Sequence, residues 1–177
     1  MKGIKKTNKP IITEYYELHR GFMDKGQFRH LYREVEPHLQ ARSSRRSCVE
    51  TSLDDIYYRD LPHITWTPLV TEIRDQLIDA FNAPISLVLV HYYHDHQATI
   101  NWHSDREATN SDIFSVSVGG TRRFCLRSKT TDTIHTFDLH DGDLFIMKTG
   151  CQDRYEHCIK SIKAYNDPRI NLTFRSQ

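Results

Sequence analysis

The chain has 177 residues, enough for one domain with a buried core and too few for two comfortable ones. Hydrophobic residues make up 38% and charged residues 27%, which excludes a mainly disordered protein. The formal net charge of +1 argues against a uniformly basic nucleic-acid-binding protein and leaves only local basic clusters. We interpret 1–177 as a single domain, with a flexible basic tail over 1–10.

The cysteines and the start of the chain predict an intracellular protein. Cys48, Cys125, Cys151 and Cys158 form no CxxC pair. The opening MKGIKKTNKP carries charge without a hydrophobic segment behind it, and no run approaches the roughly 20 apolar residues of a membrane span. We therefore expect a reduced cytoplasmic or nuclear setting, no membrane contact and a monomer.

Two helices are predicted before residue 84. Apolar residues recur at helical spacing over 24–39, and Pro37 limits the far end of that segment. A Thr-Pro pair beginning at Thr67 is typical of a helix start, and we predict a second helix through Phe81. Between the two helices, the basic stretch ARSSRRS over 41–47 predicts a solvent-exposed loop.

From residue 84 onward the pattern changes to short β-type segments. Turn signals at Gly119-Gly120 and Asp141-Gly142 separate several of them. The predicted strands are ISLVLVHYY, ATINWHS, IFSVSV, RRFCLR, TIHTFDL, DLFIMK, EHCIKSI and RINLTFR. About eight short strands preceded by helices predict an α+β fold in which helices back a β-barrel or jelly roll.

The segment NWHSDRE carries a candidate metal site. His103 and Asp105 are two positions apart, so in an extended chain both side chains leave the same face. His157, in the strand-like RYEHCIKS, is our choice for the third ligand. Two histidines and one carboxylate form a facial triad that leaves coordination positions open on Fe(II) for a co-substrate and O2. With 11 histidines in the chain, an H-x-D alone is weak evidence.

A closed zinc site is an alternative interpretation. The segment HYYHDHQ offers His91, His94 and His96, which could join His103 around a zinc ion. The cysteines are badly spaced for such a site, and the segment suits a loop that leads into the metal strand.

The segment RINLTFR combines polar and apolar positions in strict alternation. One face of a strand would carry Arg169, Asn171, Thr173 and Arg175, while the apolar residues between them pack on the other face. Two guanidinium groups are costly to bury unless carboxylates meet them, and a dicarboxylate co-substrate would satisfy that requirement. The alternative is an edge strand with both arginines in water, where most arginines lie.

Taken together, these residues resemble the AlkB family of Fe(II)- and 2-oxoglutarate-dependent dioxygenases. The resemblance rests on H-x-D, a distant His, R-x-N-x-x-x-R, VSVGGTRRFCLR and the DGDLFIM strand, and it covers roughly 67–175. It implies a double-stranded β-helix in which His103, Asp105 and His157 bind Fe(II). It also implies that 2-oxoglutarate chelates the metal and that O2 is consumed.

The resemblance further implies a co-substrate site. Arg169 would hold the distal carboxylate of 2-oxoglutarate with Tyr93 as its partner, and Asn171 and Arg175 would lie near the co-substrate. Tyr93 falls where the family has the Tyr of N-x-Y. His91 stands in place of the usual Asn, a departure that leaves the near end of the co-substrate undefined.

Five residues are candidates for contact with a nucleic acid. Glu107 occupies the position at which repair members of the family carry an acidic residue facing the damaged base, although a surface glutamate fits equally well. Tyr57 and Tyr58 fall in the region of the base-covering lid, where an aromatic ring could stack a flipped base; paired tyrosines also commonly just pack. Arg122 and Arg123 could contact phosphates, or could protect a strand from edge-to-edge association.

The leading hypothesis is oxidative demethylation of N-alkylated bases of the 1-methyladenine and 3-methylcytosine type, with release of formaldehyde, succinate and CO2. The partner would be DNA or RNA, single-stranded or with a flipped base. One rival keeps the iron chemistry but acts on another modified RNA base, a protein side chain or a small molecule. A second rival is a non-catalytic binding module. The presence of all three metal ligands argues against it, because loss of a ligand would be the simplest sign of inactivity.

Overall fold

The structure of the protein is a computed structural model that describes residues 9–42, 44–51, 60–108 and 110–176. Within these ranges, the side chains of 42, 48–51 and 107 are not described. Two antiparallel sheets face each other, and helices cover the outer face of the larger one. This is the predicted jelly-roll arrangement of strands backed by helices.

The larger sheet has eight strands in the spatial order β1-β2-β10-β7-β12-β5-β4-β3, all antiparallel to their neighbours. β12 lies at its centre and pairs with β7 and β5 along its whole length. The bounds are β1 Ile11–Ile12, β2 Tyr16–His19, β3 Gln40–Arg42, β4 Arg45–Thr51, β5 Leu87–Tyr93, β7 Ile113–Gly119, β10 Leu144–Met147 and β12 Arg169–Arg175.

The smaller sheet has four antiparallel strands in the order β6-β11-β8-β9. Its strands are β6 Ile100–His103, β8 Arg122–Ser128, β9 Ile134–Leu139 and β11 Tyr155–Lys160. A short 3-10 helix, Arg106–Ala108, follows β6, and the one-turn helix α3, Cys151–Arg154, precedes β11. Both short helices flank the metal-ligand segments.

Two longer helices pack on the outer face of the larger sheet. α1 spans Phe28–Val35 and ends in a 3-10 turn that contains Pro37, so it is shorter than predicted. α2 spans Pro68–Phe81, which confirms the second predicted helix. The side chain of Thr67 makes no capping hydrogen bond; instead the Leu69 N–H donates to both carboxylate oxygens of Glu34, each at 3.2 Å. No helix among the described residues is both long and apolar enough to cross a membrane.

Alternation along β12 divides the core into two layers, as its sequence predicts. Ile170, Leu172 and Phe174 are fully buried in the cluster that joins the larger sheet to α1 and α2. The intervening polar residues turn toward the smaller sheet and are also buried. A second apolar cluster fills the space between the two sheets around Phe124 and Phe145. The polar face of β12 therefore lines an interior cavity rather than solvent.

All eight predicted strands are present, with ends that differ by at most a few residues. The prediction of a solvent-exposed loop over 41–47 is wrong. That stretch forms most of the β3–β4 hairpin, in which Gln40 pairs with Ser47 and β4 pairs along β5. The sequence of this hairpin resembles a loop because one face of the hairpin lines a polar cavity and does not pack on an apolar core, so the strand lacks alternating apolar residues. The two strands at the opposite edge, β1 and β2, were not predicted.

Candidate active site

A cavity of about 250 Å³ opens between the two sheets. Its size is just below the usual range for small-molecule sites and suits a compact ligand. The predicted metal ligands His103, Asp105 and His157 line one side of the cavity. Four of the residues predicted to bind the co-substrate line the other side: His91, Tyr93, Asn171 and Arg175. Fold topology therefore brings the predicted metal triad and the polar face of β12 into one space.

The three predicted metal ligands meet at the mouth of this cavity. One ligand atom from each of His103, Asp105 and His157 lies within 4.8 Å of the other two, and the described residues hold no second group of His, Cys, Asp and Glu side chains with this property. His103 Nε2 is 3.4 Å from Asp105 Oδ1, and His157 Nε2 is 3.8 Å from Asp105 Oδ2. A single ion can bridge such a set. His103, with 37% of its side chain exposed, forms the open side.

A β-bulge places His103 in the cavity. His157 pairs with His103, but Ile159 pairs with Ile100, so β6 takes three steps between these pairs where β11 takes two. Because of the extra residue, both Ile100 and His103 line the cavity. The ring of Trp102 instead packs against the guanidinium of Arg127. Bulges commonly redirect a side chain next to an active site.

Asp105 lies beyond the end of β6, so the same-face geometry predicted from its spacing does not explain its position. Its backbone N–H donates to Gln152 Oε1 at 2.9 Å, and Arg175 Nη2 donates to its Oδ2 at 2.7 Å. Burial alone would raise the pKa of Asp105, but Arg175 and the histidines outweigh it and hold that pKa well below its usual range. The carboxylate is thus ionised and oriented before any metal arrives.

Both histidines turn their Nε2 toward Asp105, where a metal could bind. His103 Nδ1 lies 2.8 Å from the carbonyl of Asn101, which can only accept, so Nδ1 carries a proton and Nε2 is the nitrogen available to a metal. Burial alone would lower the pKa of His103, but its contact with Asp105 outweighs burial and raises that pKa, so a metal at Nε2 would replace a proton. Burial lowers the pKa of His157 to about 4, so its ring is neutral at pH 7. Its Nδ1 is buried and makes no hydrogen bond to another described group.

Arg169 is a fully buried cation that is only partly paired. Its Nη2 donates to Ser117 Oγ at 2.9 Å and to Asn171 Oδ1 at 2.6 Å, while Nε and Nη1 have no hydrogen-bond partner among the described residues. The ring of Tyr93 lies 5.1 Å from the guanidinium carbon. Burial lowers the pKa of Arg169 to about 10. A ligand carboxylate would supply the two missing acceptors, so the residues present fit a dicarboxylate co-substrate.

The zinc interpretation is wrong for the described part of the chain. His91 lies on the cavity wall, but His94 is half exposed and 3.5 Å from Asp95, and His96 Nδ1 contacts Asn166 Oδ1 at 2.7 Å. These side chains point to different partners. The sequence pattern HxxHxH arose from a strand end and its following loop, which separates the histidines in space.

The substrate candidates have different outcomes. The prediction that Arg122 contacts a phosphate is wrong: Arg122 is 1% exposed, and its two Nη atoms donate to the backbone carbonyls of three residues. Arg123 points to the outer face of the smaller sheet, where it forms a two-point ion pair with Asp138 at 2.8 and 3.0 Å. Tyr57, Tyr58 and the side chain of Glu107 lie outside the described residues.

Two functional contacts were not predicted from the sequence. Gln152, from α3, holds Asp105, and Ser47, from β4, contacts His91 Nδ1 at 2.7 Å. Both residues are buried polar side chains distant in sequence from their partners. Neither carries a local signal, because a single Gln or Ser in a polar segment is normally exposed.

Comparison with known proteins agrees with this geometry. A family model described as the 2OG-Fe(II) oxygenase superfamily matches residues 13–175. Uncharacterized protein R406 of Acanthamoeba polyphaga mimivirus is 29% identical over 115 residues, which is 63% of this chain and 60% of that protein. DNA oxidative demethylase ALKBH2 of Mus musculus is 31% identical over 121 residues, 62% of this chain and 51% of its own length.

A third relative, alpha-ketoglutarate-dependent dioxygenase alkB homolog 3 of Mus musculus, is 28% identical over 127 residues, 65% of this chain and 44% of its own. The aligned parts thus span between 44% and 60% of these three relatives. The solved structure of OsALKBH1 superposes with a TM-score of 0.72 over 96% of this chain and 100% of that one, at 16% identity. At that identity the superposition concerns the fold alone.

Proposed function

The chain belongs to the 2OG-Fe(II) oxygenase superfamily and, within it, to the AlkB family, and we propose that it oxidatively demethylates N-alkylated nucleic-acid bases. Membership makes it a dioxygenase whose cofactors are Fe(II), 2-oxoglutarate and O2. One observation carries the proposal: the His-Asp-His group shares a cavity with Asn171, Thr173 and Arg175 of β12. The same strand carries the buried Arg169, whose Nε and Nη1 have no hydrogen-bond partner among the described residues.

In this proposal His103, Asp105 and His157 hold the iron. When bound, the metal together with 2-oxoglutarate and O2 supplies the oxidation of a substrate C–H bond, with conversion of 2-oxoglutarate to succinate and CO2. Arg175 contributes indirectly, because its hydrogen bond to Oδ2 keeps Asp105 ionised and leaves Oδ1 facing His103. Gln152 fixes the backbone of Asp105 and so sets the position of its carboxylate.

Arg169 is the proposed anchor for the distal carboxylate of 2-oxoglutarate. Its Nε and Nη1, which have no hydrogen-bond partner in the described part of the chain, would donate to that carboxylate, and the Tyr93 ring lies beside the guanidinium. Asn171, which lines the cavity, accepts from Arg169 at its Oδ1 and donates one Nδ2 hydrogen to Thr173 Oγ1 at 3.0 Å. Its part is to orient the Arg169 guanidinium.

The cavity wall also has an apolar part. Leu89, Ile100, Phe124 and Ile159 line it beside the metal group. Such a surface excludes water from the reacting centre and strengthens the polar contacts made inside it.

The proposed substrate is a base that carries an N-methyl group. Hydroxylation of that methyl gives an N-hydroxymethyl group, which releases formaldehyde and restores the base. The relatives named DNA oxidative demethylase ALKBH2 support a nucleic acid as the partner. We assign base contact to Tyr57, Tyr58 and Glu107. The tyrosine rings would stack on the flipped base, and the Glu107 carboxylate would favour the positive charge of 1-methyladenine or 3-methylcytosine. We assign phosphate contact to Arg123, which would exchange its ion pair with Asp138 for one with a phosphate.

The test uses short DNA and RNA oligonucleotides, each with one 1-methyladenine or one 3-methylcytosine, in single-stranded and duplex form. Each is incubated with the protein, Fe(II), 2-oxoglutarate, ascorbate and O2, and mass spectrometry follows both the oligonucleotide and succinate. We expect loss of one methylene mass with matching succinate, and neither with the Asp105→Ala variant. Succinate without any change in the oligonucleotides would reject the substrate class and retain the oxygenase.

A further inference from the structure

His91 stands on β5 at the cavity wall, where the AlkB resemblance leads one to expect an amide side chain. It is 8% exposed. Its Nδ1 lies 2.7 Å from Ser47 Oγ and 3.4 Å from Arg45 Nε. Both contacts come from β4, the strand next to β5, where Ser47 is the direct cross-strand partner of His91. Two neighbours on one strand therefore converge on a single ring nitrogen.

These contacts define the proton position on the ring. A guanidinium nitrogen donates and cannot accept, so Arg45 requires a lone pair on His91 Nδ1. The Ser47 hydroxyl can donate to the same lone pair at 2.7 Å. A proton on Nδ1 would face the Arg45 donor directly. The neutral ring must then carry its proton on Nε2, on the opposite edge.

The surroundings keep the ring uncharged. Burial is the main cause that lowers the pKa of His91 well below its usual range, and the positive charges of Arg45, Arg175 and Arg169 act in the same direction. Asp105 acts in the opposite direction but does not outweigh burial and the arginines together. A neutral ring with bare Nδ1 has one donor left, and that donor belongs to the edge turned away from β4, on a residue that lines the cavity.

We propose that Ser47 and Arg45 are positioning residues that fix His91 as its Nε2–H tautomer, and that this N–H donates to a carboxylate of 2-oxoglutarate. The inference rests on the proposed function, since it takes 2-oxoglutarate as the ligand. It places a hydrogen-bond donor, held by Ser47 and Arg45, at the position where the family pattern has an amide side chain. An imidazole can fill that role only when its tautomer is set, which explains why a buried serine lies opposite it.

The tautomer is measured first, on the unmodified protein. Two-bond nitrogen–proton correlation NMR of protein labelled with 15N-histidine distinguishes the two neutral tautomers, and the His91 signals are identified by their loss in His91→Asn. We expect an unprotonated Nδ1 and a protonated Nε2. In Ser47→Ala the same signals should move toward a mixture of tautomers. An Nδ1–H ring in the unmodified protein would overturn the inference.

The second measurement is calorimetric binding of 2-oxoglutarate to protein loaded with Mn(II), which requires no turnover. We expect His91→Phe to weaken binding about 10- to 150-fold, the loss of one hydrogen bond to a charged group. His91→Asn should stay within about threefold of the unmodified protein because an amide also donates. Ser47→Ala should lie between them. Melting temperatures of the metal-free variants show whether each remains folded.

The outcomes separate this inference from the function on which it rests. Equal 2-oxoglutarate affinity in folded His91→Phe and unmodified protein would overturn the donor role. No 2-oxoglutarate binding to the unmodified, Mn(II)-loaded protein would overturn both the donor role and the proposed co-substrate. Normal binding, the predicted tautomer and no demethylation of any oligonucleotide would retain the inference and reject only the nucleic-acid substrate.

Discussion

Replacement of Arg169 by methionine should have opposite effects on the metal-free protein and on its complex with 2-oxoglutarate. Arg169 is fully buried, and two of its donors lack acceptors among the described residues. In the metal-free protein an unneutralised buried cation costs stability, and an apolar residue of similar length removes that cost. In the complex the same substitution leaves a ligand carboxylate without its cation.

The size of the binding effect follows from the burial of the pair. Loss of one partner of a buried, hydrogen-bonded charge pair costs about 2–5 kcal/mol, or about 30-fold to several thousandfold in affinity. Metal affinity should change little, because the Arg169 hydrogen bonds go to Ser117 and Asn171 and not to the His-Asp-His group.

Arg122 provides a matched control. It is also buried, and its guanidinium lies 6.0 Å from the same Tyr93 ring, but its Nη atoms donate to three backbone carbonyls. Arg122→Met should therefore lower the melting temperature of the metal-free protein, because it leaves buried carbonyls unpaired. Arg169→Met should leave that temperature unchanged or raise it.

The assay is differential scanning calorimetry of metal-free and Mn(II)-loaded protein, with and without 2-oxoglutarate. The ligand should raise the melting temperature of the unmodified protein and of any folded Arg122→Met protein, and it should have little effect on Arg169→Met. If 2-oxoglutarate stabilises Arg169→Met as much as the unmodified protein, Arg169 is not the anchor and the argument from its unpaired donors fails.

Three further predictions concern the metal group. Asp105→Ala should abolish calorimetric Mn(II) binding and succinate production, because two histidines alone hold the ion weakly; full turnover would contradict the triad. Gln152→Ala should reduce Mn(II) affinity about 10- to 100-fold, since Gln152 accepts the Asp105 N–H, and an unchanged affinity would remove its orienting role. Burial lowers the pKa of His157 in the folded protein to about 4. When a chelator keeps the protein free of metal, the His157 ring therefore stays neutral in the folded state at pH values below about 6.5, at which the unfolded chain protonates it. Stability should be full above that pH and fall by up to about 3 kcal/mol toward pH 4, and His157→Gln should flatten this decline in urea titrations.

Elements of the fold can be predicted from the sequence where apolar residues recur with the period of a strand or a helix. Alternation in β12 assigns its polar residues to one face, and the structure places them on the cavity side. The helix from Thr67 follows from its Thr-Pro start. The β3–β4 hairpin escapes prediction because a strand that faces a polar cavity lacks the apolar alternation on which strand prediction depends.

The active site was predictable only where its chemistry is carried by rare residue types. The metal group stands out as two histidines and a carboxylate, whereas Ser47 and Gln152 act through contacts with partners 44 and 47 residues away. Arg122 shows the converse error. It shares the inward alternation of Phe124 and Leu126, which pointed to a buried position, but its charge was taken as a sign of exposure.

The most direct test of the central claim is the ratio of formaldehyde to succinate formed in a single reaction with a 1-methyladenine oligonucleotide, each product measured by mass spectrometry after derivatisation. Oxidative demethylation at this site predicts one formaldehyde for each succinate above the background without oligonucleotide, and none of either with Asp105→Ala. Succinate that rises with the oligonucleotide while formaldehyde does not would contradict the claim.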